Sequence, residues 1–215
     1  VKRTKDDLGS TIDAEDNLTK MILIEQAIDA AHQIHEPVSR SYALYDCLTM
    51  VLDFAREVSN ENLLSLCNSI LEEIQNKGAQ ARALSYLAVV LATFQKVELA
   101  EDTLMEAINT TALVRDDFDR RDAFLDIATS AADIFFLLNK RKMIDIAINL
   151  AEHLTIAQKA YLFGYLSTVL PDREGKQFLT NSLELAESIH NPITRSKVFL
   201  ELASLVTTFQ KRLEM

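Results

Sequence analysis

The stretch Leu84-Ser85-Tyr86-Leu87-Ala88-Val89-Val90-Leu91 decides how this chain is read. Leu84, Leu87, Ala88 and Leu91 stand at i, i+3, i+4 and i+7, the spacing that puts four side chains on one face of an α-helix. The same spacing returns in Leu44, Cys47, Leu48, Val51; in Phe124, Ile127, Ala128, Ala131; in Phe163, Leu166, Ser167, Leu170; and in Phe199, Leu202, Ala203, Val206. Successive segments start 40, 40, 39 and 36 residues apart. One amphipathic segment is ordinary, but five in near-constant register signal an internal repeat.

A second helix type lies between these at the same period. It shows in Ile24, Ala27, Ile28, Ala31; Leu64, Cys67, Asn68, Leu71; Leu104, Ala107, Ile108, Thr111; Ile144, Ala147, Ile148, Ala151; and Leu183, Ala186, Glu187, His190. The second place always holds Ala or Cys, small enough to let a neighbouring helix approach closely. The joints repeat as well. Ile34-His35-Glu36-Pro37-Val38-Ser39-Arg40-Ser41 is echoed by Ile189-His190-Asn191-Pro192-Ile193-Thr194-Arg195-Ser196. Proline suits a helix start, where its missing N–H costs nothing. Asn60, Asn139 and Pro171-Asp172 mark the opposite joints.

The pattern predicts ten helices over 17–35, 38–57, 61–76, 79–95, 97–114, 117–138, 140–153, 156–170, 174–190 and 193–213. The expected fold is all-α, an α-α superhelix (solenoid) of about five helical hairpins. Residues 1–15 read as a flexible tail and 16–215 as one repeat domain. The outermost helices keep apolar residues, Met21 to Ile28 at one end and Phe199, Leu202, Val206 and Phe209 at the other. Self-association through these terminal helices is therefore one expectation.

Composition agrees. Four Gly and three Pro in 215 residues are too few for the closely spaced turns of a sheet protein. A net charge of −10 opposes the phosphate neutralisation on which nucleic-acid binding rests, and no nucleic-acid partner is expected. No apolar run reaches bilayer-spanning length, so no membrane insertion is expected. Val1 to Ser10 lack the apolar core of a signal peptide. Cys47 and Cys67 fall on apolar stripes and read as buried free thiols rather than a disulfide framework. Together these lead to the expectation of a cytoplasmic protein.

Over residues 80–115 the chain resembles a tetratricopeptide repeat. Leu87-Ala88, then Ala100, Leu104 and Ala107, stand at the spacings this family uses for its large-small pair and its small-large-small set. Lys140 and Asn60 occupy the place of Ala100 in other repeats, the period is nearer 40 than 34, and Trp is absent. HEAT repeats, with a similar period, are the competing class. The resemblance implies that the helices beginning at 38, 79, 117, 156 and 193 line a concave surface. Its outward side chains would be Tyr42, Tyr45, Thr49, Arg82, Ser85, Val89, Asp122, Thr129, Asp133, Tyr161 and Lys197. Members that grip carboxylate tails need a Lys, Asn and Arg cluster there, whereas this chain has Tyr45, Thr49, Ser85 and Val89.

The chemistry of catalysis leaves no trace. There is no His-Glu-x-x-His, Cys-x-x-Cys or Gly-rich phosphate loop, so no catalytic residues, cofactor or metal are expected. His32 and His35 have a spacing that could bring two ligands together, but His35 belongs to the repeated joint and a structural role is favoured. The run Lys140-Arg141-Lys142 and the stripe Glu98, Glu101, Asp102, Glu106 read as solvated. The functional expectation is a non-enzymatic module that binds a partner peptide or helix on its concave face, as scaffold, adaptor or chaperone. The alternatives are an enzyme or small-ligand carrier with an enclosed pocket, for which Asp122 and Asp133 are the nearest acids, and a self-associating structural protein.

Overall fold

The computed structural model describes the backbone of residues 5–213 and the side chains of 16–171 and 173–207. All regular structure among them is helical. The ten helices are α1 (Lys5–His32), α2 (Pro37–Glu57), α3 (Leu63–Glu73), α4 (Lys77–Thr93), α5 (Val97–Thr111), α6 (Asp117–Leu138), α7 (Arg141–Leu150), α8 (Ile156–Val169), α9 (Asp172–Glu187) and α10 (Pro192–Leu213), with a 3₁₀ turn at Ala151–His153. These are the ten that the periodicity predicts. The exception in extent is α1, which begins at Lys5 inside the segment read as a tail. Residues 1–4, and the side chain of Phe209, lie outside the described residues.

One cap chemistry repeats at the start of α2, α4, α6, α8 and α10. Glu36 accepts from the N–H groups of Val38 and Ser39, Asn76 from Ala79, Asp116 from Phe118 and Asp119, Thr155 from Gln158, and Asn191 from Ile193 and Thr194. Each satisfies backbone donors that have no partner within the helix. The five caps keep the spacing of the apolar segments, so the period of the core and the period of the joints are one. Three opposite joints turn through left-handed residues: Ser59, Gln95 and Asn139, at φ of 51°, 59° and 53°. Asn139 is the αL residue that the sequence points to, and Ser59 immediately precedes the predicted Asn60.

The packing forms two compact units, residues 1–79 and 80–215, divided within α4. In the first, α1 packs on α2 and α2 on α3. Ile24, Leu44, Leu48, Val51, Leu52 and Ile70 are buried there. In the second, α5 packs on α6, α6 on α7, α8 on α9 and α9 on α10, while α6 also touches α8 and α8 touches α10. At the second place of the alternate helices, Cys67, Ala107, Ala147 and Ala186 are fully buried and Ala27 is half-buried, as close helix approach requires. The faces differ at the two ends: Leu18, Leu23, Ile193 and Leu200 are exposed, whereas Ile24, Ala31, Val198 and Leu202 are covered.

The two units hold no polar side-chain atom buried without a partner among the described residues. The run Lys140-Arg141-Lys142 is more engaged than its composition suggests. Arg141 forms a two-pronged bond with Glu174 of α9, and Lys140 and Lys142 lie 4.0 and 3.5 Å from Glu101 of α5. The hydrogen bond from Arg141 holds the Glu174 carboxyl below its usual range.

Gly175 marks where α9 turns back against the end of α8. A Cβ there would stand 2.7 Å from the Ser167 carbonyl oxygen and 3.1 Å from that of Leu170, backbone atoms that cannot swing away. Alanine in a helix usually stabilises relative to glycine. Here the sign reverses, and Gly175→Ala is expected to cost about 1–3 kcal/mol, read as a lowered denaturation midpoint.

Candidate interaction groove

The second unit carries an open groove of about 970 Å³ between α6, α8 and α10. All three belong to the helix type that opens on a side-chain cap, and they run in the same direction. Asp122 near the start of α6 meets Gln158 near the start of α8, and Asp133 farther along α6 meets Tyr165 farther along α8. Apolar side chains of the three helices, Phe118, Leu125, Ala157 and Val198, form much of the lining. The helices pack closely beneath it. Gly164 on α8 lies so near α10 that a Cβ would fall 2.2 Å from Leu202 Cδ2, and Ser182 of α9 donates to the Ala160 carbonyl at 2.7 Å.

Tyr161 and Tyr165 are one turn apart on α8, their rings stacked at a centroid distance of 6.4 Å and an interplanar angle of 25°. The Tyr165 hydroxyl donates to Asp133 Oδ1 at 2.5 Å, and Gln158 Nε2 donates to Asp122 Oδ1 at 2.8 Å. Arg82 of α4 donates through Nε to Asp126 Oδ2. Burial pushes the Asp126 carboxyl up; Arg82 beside it pulls down, and neighbouring Asp122 adds to the rise. Burial also pushes the Tyr161 phenol up, and Glu201, Asp126 and Asp133 push it further by disfavouring a second negative charge.

Of the residues expected on a partner-binding face, Asp122, Thr129, Tyr161 and Lys197 line this groove. Arg82 joins its edge through Asp126, and Asp133 through Tyr165. Ser85 and Val89 do not face outward. They are only 1% and 6% exposed because this part of α4 is covered on nearly every side, and Ser85 turns its hydroxyl to the Arg82 carbonyl. Tyr42, Tyr45 and Thr49 belong to α2 in the first unit, half-buried, with Thr49 donating to the Asp46 carbonyl. The groove residues that the sequence reading passed over include Asp126, Tyr165 and Glu201. Each stands four residues after one that it named (Asp122, Tyr161, Lys197), so extending every candidate by one helical turn would have found them.

The other residues singled out in the sequence have contacts of their own. His32 Nε2 bonds Glu73 Oε2 at 2.9 Å, and no group of three or more metal-ligating side chains occurs among the described residues. His153 stacks on Phe124 at 4.7 Å. Cys47 and Cys67 are buried and carry no disulfide, and burial pushes the Cys67 thiol up to about 12, which keeps it protonated and inert. No helix among the described residues is long and apolar enough to cross a membrane. No protein family, curated protein or solved structure matches the chain.

Proposed function

We propose that this protein is a non-enzymatic interaction module of tetratricopeptide-like build, and that the α6–α8–α10 groove takes a peptide or helical segment of a partner protein. The observation carrying this reading is a groove on three parallel helices, walled by aromatic and apolar side chains and edged with charge. Such a combination suits a chain segment laid along it. Stacked, half-buried tyrosines supply contact area with little conformational entropy to lose. The acids support binding rather than catalysis, because Asp122, Asp126 and Asp133 are already engaged by Gln158, Arg82 and Tyr165.

The test is selection of a random-peptide display library on the intact protein, followed by measurement against two variants. Tyr161→Ala removes an anchor, and Thr129→Arg extends a long side chain into the groove from an otherwise tolerant helical position. The expected result is a set of peptides whose affinity falls about tenfold or more on each variant, the loss of one good anchor. Both variants should keep the wild-type circular dichroism, with melting lowered far less than by a core truncation. Peptides that bind wild type and both variants alike would place recognition elsewhere and remove the groove from the proposal.

A further inference from the structure

The groove is electrically polarised along its length. Where the three helices begin, its cations are Arg121 on α6 and Lys197 on α10, beside Asp122, whose carboxylate accepts from the neutral Gln158 amide. Farther along lie Asp126, Asp133 and Glu201, all bearing on Tyr161. Arg82 offsets Asp126, Asp133 is engaged by Tyr165, and Glu201 has no ion pair among the described residues. The tyrosine end therefore keeps a net negative charge, while at the other end the N-termini of α8 and α10, capped by the neutral Thr155 and Asn191, reinforce the cations.

From this polarity and the tyrosine pair we propose that the groove recognises a basic segment of a partner protein, seating a Lys or Arg side chain at Tyr161 and Tyr165 beside Glu201. The inference rests on the interaction reading above and names the chemistry of its partner. Aromatic faces attract a cation, more strongly when it is partly withdrawn from water. The nearby carboxylates add Coulombic attraction in the same place. The aliphatic stem of Lys or Arg has apolar surface to lie on at Leu125 and Val198. Arg121 and Lys197 repel the same cation at the other end, so a basic side chain has one favoured seat and the bound segment one direction. An acidic residue on the segment, placed toward the helix starts, would match them.

The experiment uses the peptides selected on the intact protein. They should share a Lys or Arg at one aligned position, and Glu201→Lys should weaken them by about tenfold through repulsion and a lost counter-charge. Changing that peptide residue to Glu should restore binding to Glu201→Lys while weakening binding to wild type. Glu201 is exposed, so the substitution leaves the core untouched. Groove-dependent peptides with no shared cation, or binding undiminished by Glu201→Lys, would overturn the inference and leave the interaction reading standing. Spermine competing as tightly as the peptides would also overturn it, by showing that the seat takes small polyamines. Failure to select any peptide sensitive to Tyr161→Ala and Thr129→Arg would overturn both.

Discussion

Leu162→Ala should lower the stability of the 80–215 unit by about 2–5 kcal/mol, while Tyr161→Ala, one residue away, should change it far less. Leu162 is fully buried on the core side of α8, and Tyr161 is half-buried on the groove side. Truncating the leucine loses its transfer free energy and leaves a cavity whose cost depends on whether the neighbours can close in. They have little room to do so. The approach of α8 to α10 at Gly164 already leaves no space for a methyl group without displacing Leu202. The Ser182 bond to the Ala160 carbonyl holds α9 in place on the same stretch of α8. The cost should therefore fall toward the upper part of the range. Chemical denaturation of the two variants checks it, and a Leu162→Ala midpoint equal to that of Tyr161→Ala would show that α8 is free to resettle.

The second large effect is expected at Ser41 in the first unit. Its side chain is 1% exposed, and its hydroxyl has three partners. It donates to the Pro37 carbonyl at 2.9 Å and accepts from the N–H groups of Gln75 and Asn76 at 3.2 and 3.1 Å. Those two amides lie in the short link after α3, where the chain has left one helix ladder and not yet entered the next. Ser41→Ala removes one oxygen and orphans both donors, at about 1–3 kcal/mol for each that water cannot reach. The expected outcome is a lowered denaturation midpoint together with faster hydrogen exchange at Gln75 and Asn76. Unchanged exchange at both amides would mean that they find other partners. Its counterpart in the repeated joint, Ser196, is exposed, and Ser196→Ala should be close to neutral.

That contrast shows where the sequence stops being informative. Ser41 and Ser196 occupy the same place in two nearly identical joints, yet only Ser41 has the end of a following helix lying over it. The sequence carries the joint, and the neighbour is a tertiary fact. The burial of Ser85 and Val89 has the same origin. The tetratricopeptide resemblance implies that they point outward, but α4 is covered around most of its circumference, so no outward face remains there.

By itself the sequence determined the ten helices, their alternation in two types, their repeated joints and their all-α class. These depend on local terms: apolar spacing along one chain, a carboxylate, hydroxyl or amide oxygen placed before a helix, and a residue able to adopt the left-handed turn. The resemblance added the expectation that Asp122, Thr129, Tyr161 and Lys197 share one outward face. Only the tertiary structure decided that these four share one groove with Asp126, Tyr165 and Glu201, and that Arg82 is committed to Asp126. The reason is distance along the chain. A hydrophobic period fixes which side of a helix turns inward, but which side chains of α6, α8 and α10 come to face one another depends on the crossing and axial offset of helices some forty residues apart, set by the close packing of Ala160, Gly164, Ser182 and Leu202 beneath them.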